Sequence, residues 1–113
     1  MNLMRRVYIA SPCKSNGDGS AEVFRRYLKQ CLEDSLEKGE APYAPHSYLV
    51  GLKGCSDHIP KERQNGMNIG LKYLIVCNLA AFYADYGITE GMQGEMDFAK
   101  ANKIPCLIRK LHV

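Results

Sequence analysis

Leu79-Ala80-Ala81-Phe82-Tyr83 is an unbroken apolar run whose reading decides the fold. A strand with one wet face alternates apolar and polar residues, whereas a strand covered on both faces is apolar throughout, as in parallel sheets flanked by helices. The segments on either side agree with the second pattern. Before the run, Leu71, Leu74 and Ile75 follow Pro60 at helical spacing and predict a helix reaching about Cys77, interrupted by Gly66 and Gly70. After it, residues 84–89 read as a turn, and a helix is expected over 90–102 with Met92, Met96 and Ala99 on its buried face. Pro105-Cys106-Leu107-Ile108 reads as a last strand.

The N-terminal half repeats the alternation. Val7-Tyr8-Ile9-Ala10 is a short β-rich run that stops at Ser11-Pro12 and opens into the polar, Gly-rich stretch Lys14-Ser15-Asn16-Gly17-Asp18-Gly19-Ser20. Val23, Phe24, Tyr27, Leu28, Cys31, Leu32 and Leu36 then recur at helical spacing, with Ser20 or Asp18 as N-cap and Gly39 as the stop. Residues 41–44 form a second short strand closed by Pro45-His46, and residues 47–60 lack a period, so an irregular excursion or lid is expected there. The order β-α-β-α-β-α-β, without a two-residue hairpin signal, implies an α/β fold with a parallel sheet of four to five strands and helices on both faces. At 113 residues, one domain over 1–113 is expected.

Bulk properties narrow the function. The 46% hydrophobic and 24% charged content describe an ordinary globular chain rather than a disordered or fibrous one. A net charge of +3, scattered as Arg5-Arg6, Arg25-Arg26 and Arg109-Lys110, lacks the concentrated basic stripe of a polymeric nucleic-acid binder and suits a small anionic ligand. No apolar run approaches the roughly 20 residues of a membrane span, and no secretion signal opens the chain, so a cytoplasmic protein without membrane contact is expected. Five cysteines without a C-x-x-C pair, and three histidines without shared spacing, point to neither a disulfide framework nor a metal site. Gly19 occupies the position where a C-x5-R phosphatase loop beginning at Cys13 needs Arg. A chain this small buries only about two-thirds of its unfolded surface, so homo-oligomerisation is expected to add stability.

Ligands of open parallel sheets bind beyond the carboxyl ends of the strands, where loops and helix N-termini converge. Four segments meet there: residues 11–20, the neighbourhood of His46, residues 85–89 and the first turns of the last helix. Gly17, Asp18 and Gly19 could offer backbone N–H groups to a phosphate, or simply connect two elements; the stretch matches neither established nucleotide-loop pattern. Thr89-Glu90-Gly91-Met92-Gln93-Gly94-Glu95 carries two glycines in the opening of a helix, which cost stability and suggest that something approaches the backbone. The helix dipole would favour the ionised form of Glu95, available as nucleophile or base; dipole complementation alone is the competing reading of Glu90 and Glu95. His46 is a candidate for sugar or base contact, Arg63 for phosphate, and Tyr8 for the pocket wall.

Taken together, Val7-Tyr8-Ile9-Ala10-Ser11-Pro12, Ala44-Pro45-His46, Glu62-Arg63 with Gly66, Thr89-x-Gly91-Met92-x-x-Glu95 with Ala99, and Ile104-Pro105 resemble the nucleoside 2-deoxyribosyltransferase-like superfamily, in particular a small branch common in phages and bacteria. The resemblance spans nearly the whole chain. It implies a flavodoxin-like or Rossmann-like three-layer sandwich and chemistry at the N-glycosidic bond of a nucleoside or its 5′-monophosphate, with no cofactor. It implies that Glu95 attacks C1′, that Thr89, Gly91 and the adjoining Met92 hold the sugar and its 5′ end, and that Ser11, Pro12 and the loop through Gly19 line the pocket. Many relatives carry Asp before the third strand where this chain has Asn78, which orients a ligand but cannot act as a carboxylic acid. Asp85 is then the candidate proton donor, with Asp18 or His46 assisting. The alternative is a module that binds a nucleotide, or a nucleotide-derived signal, without turnover.

Overall fold

The computed structural model describes residues 4–13, 20–49, 52–56 and 58–112. Among them, β1 (Arg6–Ala10), β2 (Ala41–Tyr43), β3 (Leu79–Tyr83) and β4 (Cys106–Arg109) form a four-stranded sheet in the order β2-β1-β3-β4. Every pairing is parallel. Three helices join the strands, α1 (Ser20–Glu37), α2 (Pro60–Leu74) and α3 (Glu90–Ala101), and a one-turn 3-10 helix, Pro45–Ser47, follows β2. The protein is of the α/β class, with the layering of a flavodoxin-like or Rossmann-like sandwich. None of the described helices is long and apolar enough to cross a membrane.

Register assigns the two faces. Val7 pairs with Leu79, Tyr8 with Ala80, Ile9 with Ala81 and Ala10 with Phe82, and successive strand residues point to opposite faces. Val7, Ile9, Leu79, Ala81 and Tyr83 accordingly pack with Tyr27, Leu28 and Cys31 of α1. Tyr8, Ala10, Ala80 and Phe82 pack with Leu74 of α2 and with Met92, Met96 and Ala99 of α3. All five residues of β3 are buried, as its unbroken apolar run requires. The chain passes from β1 outward to β2 and then returns to β3 on β1's other side, so the strand order reverses between β1 and β3. A crevice opens above the carboxyl ends at such a switch point.

Helix boundaries follow local chemistry. Gly39 stops α1 with a φ of 76°, a left-handed backbone that Gly adopts without strain. Pro60 occupies the first turn of α2, where its missing N–H costs nothing. The apolar stripe of α1 is narrower than its sequence suggests: Val23 and Leu36 are 44% and 57% exposed, whereas Ser35 is fully buried. The cause is polar. Ser35 donates a 2.7 Å hydrogen bond to Glu40, whose carboxylate also receives Arg109 at 2.9 and 2.8 Å. Arg109 reaches Tyr83 as well, and Tyr83 donates to Asp34. This network fills the α1 side of the sheet near β4 and uses a cation that composition alone left free for a ligand.

Candidate functional site

A cavity of about 370 Å³ opens at the β1/β3 switch point. β1 contributes Tyr8, and Ser11 and Cys13 lie just beyond it; Pro45 and His46 come from the 3-10 helix, Arg63 and Met67 from α2, and Thr89, Gly91, Met92 and Glu95 from α3 and its cap. Eight of the residues singled out from the sequence therefore share one wall system: Tyr8, Ser11, His46, Arg63, Thr89, Gly91, Met92 and Glu95.

The register that sends Tyr8 toward α3 explains the central contact. Its hydroxyl donates to Glu95 Oε2 at 2.5 Å. Thr89 caps α3, its Oγ1 accepting from the Met92 amide at 3.2 Å. Glu95 consequently lies in the second turn, where the helix dipole has faded. Burial governs its protonation instead: desolvation raises the carboxyl to about 7, against the opposing effect of the Tyr8 hydrogen bond. The expectation that the helix dipole keeps Glu95 ionised changes accordingly, because desolvation acts in the opposite direction. A value near neutrality brings both the acid and the carboxylate within reach there. Burial and the facing carboxylate raise the Tyr8 phenol well above its ordinary value, so it stays a donor.

Among the described residues, no part of the chain itself crowds Gly91 or Gly94. A Cβ at Gly94 would meet nothing within 4 Å, and one at Gly91 would meet only Arg63 Nη2, at 3.9 Å. The crowded glycine is Gly70 in α2, where a Cβ would lie 2.8 Å from the Tyr8 hydroxyl and 3.3 Å from Pro45. Sequence showed Gly70 only as an interruption of helical pattern; its function as a passage for Tyr8 depends on a partner 62 positions away in the chain.

Ser11 and His46 form a second polar pair on the cavity, Oγ to Nε2 at 3.0 Å. They meet because β1 and β2 are neighbours and both chains leave the sheet at the same end. Part of the expected lid packs against α2: Glu62 accepts from the Gly54 and Ser56 amides at 3.0 and 3.3 Å, which turns Cys55 to the cavity. The guanidinium of Arg63 has no ion-pair partner among the described residues.

Three candidates lie elsewhere. Asp85 does not line the cavity. Its carboxylate accepts from the Tyr27 hydroxyl and from the Leu111 and His112 amides at 2.9 Å, tethering the chain after β4. Desolvation raises its pKa, but these donors outweigh it and bring the group down to about 2. Asn78 precedes β3 at the opposite end of the sheet, where its Oδ1 accepts from the Arg6 amide at 2.8 Å. Pro12 is fully buried and borders a neighbouring groove between α1 and the 3-10 helix. Gly17, Asp18 and Gly19 lie outside the described residues. Phe24, Leu49, Cys55, Gly66, Met67 and Glu90 also line the cavity without having been assigned to a ligand from sequence.

Fold and site together define a parallel α/β protein with a half-buried carboxylate, hydrogen-bonded to a tyrosine, on a cavity at its topological switch point. The chain belongs to the family described as Domain of unknown function (DUF7768), whose model matches residues 5–109. Among curated proteins, none matches.

Proposed function

We propose that the cavity takes a nucleoside or nucleotide and that Glu95 attacks C1′ of its sugar, making the protein an N-glycosidic bond hydrolase or deoxyribosyltransferase. The observation that carries this reading is the Glu95 carboxylate: half-buried on the cavity wall, held through Oε2 by Tyr8, with Oε1 free of any hydrogen bond among the described residues. A volume of about 370 Å³ suits a ligand of nucleoside size. The motif resemblance to nucleoside 2-deoxyribosyltransferase-like proteins supports the same chemistry.

In the first step an Oε1–C1′ bond forms as the C1′–N bond breaks, and the electron pair leaves with the base. The carboxylate stabilises positive charge developing at C1′, and the covalent intermediate divides one difficult displacement into two. Water or a second base then displaces Glu95. Tyr8 fixes the carboxylate and spreads its charge without being consumed. Arg63, a cation on the same cavity, supports an anionic substituent such as a 5′-phosphate.

Incubation with deoxynucleosides and their 5′-monophosphates tests the reading. Free base should appear with the wild-type protein and fall by at least about 100-fold in Glu95→Gln. Release unchanged in that variant excludes the assignment. Binding without turnover is the second reading, favoured by the protonated fraction of Glu95 near neutrality, in which the acid donates a hydrogen bond and cannot attack. It predicts a thermal shift with nucleotides and no product.

A further inference from the structure

A base leaving C1′ as an anion must receive a proton, and Glu95 cannot be both nucleophile and donor in one step. Asp85 and Asn78 are engaged away from the cavity. Of the titratable or charged groups on the cavity among the described residues, Tyr8 is committed to Glu95, Arg63 does not release a proton, Glu90 is exposed, and the thiols of Cys13 and Cys55 are weak donors. His46 is the one imidazole there. Its Nε2 meets the hydroxyl of Ser11, a residue only 4% exposed whose backbone leaves β1 directly beneath the cavity.

We propose that His46, acting through the Ser11 hydroxyl, delivers the proton to the departing base and takes one from the incoming water. This rests on the Glu95 reading and extends it. As C1′–N cleavage places an electron pair on the base, the Ser11 hydroxyl gives its proton to a base nitrogen or oxygen and receives one from Nε2 of the imidazolium. His46 is left neutral. In the second step water adds to C1′, Glu95 departs as a carboxylate, and the water's surplus proton returns along the same path to His46. Charge and protons balance over the cycle, and no further reactant is required.

Leaving-group dependence tests this. Wild type, H46Q and S11A are assayed for base release from two matched pairs: 2′-deoxyguanosine 5′-monophosphate with its N7-methylated form, and 2′-deoxyuridine 5′-monophosphate with its 5-fluoro form. The N7-methylated purine departs without a proton, and 5-fluorouracil is the better leaving anion. A general acid contributes about 10²- to 10⁴-fold, so both variants should lose roughly 100-fold or more on the unactivated members and less than about 10-fold on the activated ones. Activity on the activated members also shows that the variants are folded. Equal loss on both members of a pair in both variants, or no loss in either, overturns the assignment of His46 and leaves Glu95 standing. A wild-type protein that releases no base from any of the four removes the Glu95 reading and this inference with it.

Discussion

The Tyr8 hydroxyl lies 2.5 Å from Glu95 Oε2, and it gets there by passing Gly70, where a side chain would intrude to 2.8 Å. One contact thus joins β1, α2 and α3 at the switch point. Both the orientation of Glu95 and the tolerance of a glycine inside α2 follow from it.

Gly70→Ala should be destabilising, although Ala is the better helix former by about 1 kcal/mol. The new Cβ must displace either Tyr8 or α2, at a cost of about 1–3 kcal/mol in a packed site. Urea denaturation gives the net change, and Gly94→Ala, where there is open space, serves as the contrast and should be neutral or stabilising.

Glu95 makes stability depend on pH in a defined direction. Its folded value is raised from 4.5 to about 7, so the folded state favours the protonated acid. This contribution is complete below about pH 4.5 and is lost as pH rises through 7, at a cost on the order of 3 kcal/mol. Glu95→Gln should flatten that segment of the stability curve and be the more stable protein at pH 8. Parallel wild-type and variant curves between pH 5 and 8 contradict a raised Glu95.

Asp85 behaves in the opposite sense. Its lowered value means that its contribution is present above the ordinary carboxylate range and disappears as pH falls toward about 2. Asp85→Asn should loosen residues 111–112 and cost about 1 kcal/mol, discounted for solvent. Base release should stay within about twofold of wild type, because the residue does not line the cavity. A loss of activity comparable to that of Glu95→Gln would return Asp85 to the chemistry.

Arg109→Ala leaves Glu40 buried without its bidentate partner, a change that typically costs about 3–5 kcal/mol. Replacing both, as Glu40→Leu with Arg109→Met, should recover most of that loss. Thermal melts of the single and double variants measure the difference.

The fold was legible because β3 is apolar on both faces and helical and strand patterns alternate along the chain. Glu95, Thr89 and His46 were legible as candidates because they fall at strand ends and helix starts, which a parallel sheet gathers at one edge. Asn78 was a candidate through the family resemblance alone, and it lies elsewhere: it precedes β3, and in a parallel sheet the start of a strand lies a full strand length from the ligand edge. Asp85 stands at the correct edge but points to the α1 side, a choice of face made by Tyr27 and the chain after β4. Glu40 and Gly70 owe their environments to Arg109 and Tyr8, remote in sequence, and no local pattern announces such pairs.

The nucleophile itself can be caught. A 2′-fluoro-arabino nucleotide slows breakdown of a glycosyl–carboxylate intermediate, and intact-protein mass spectrometry after mixing should show the mass of one sugar phosphate added. Peptide mapping should place it on Glu95, and the adduct should be absent from Glu95→Gln. Base release without any adduct on Glu95, or an adduct that persists in Glu95→Gln, contradicts Glu95 as the attacking group.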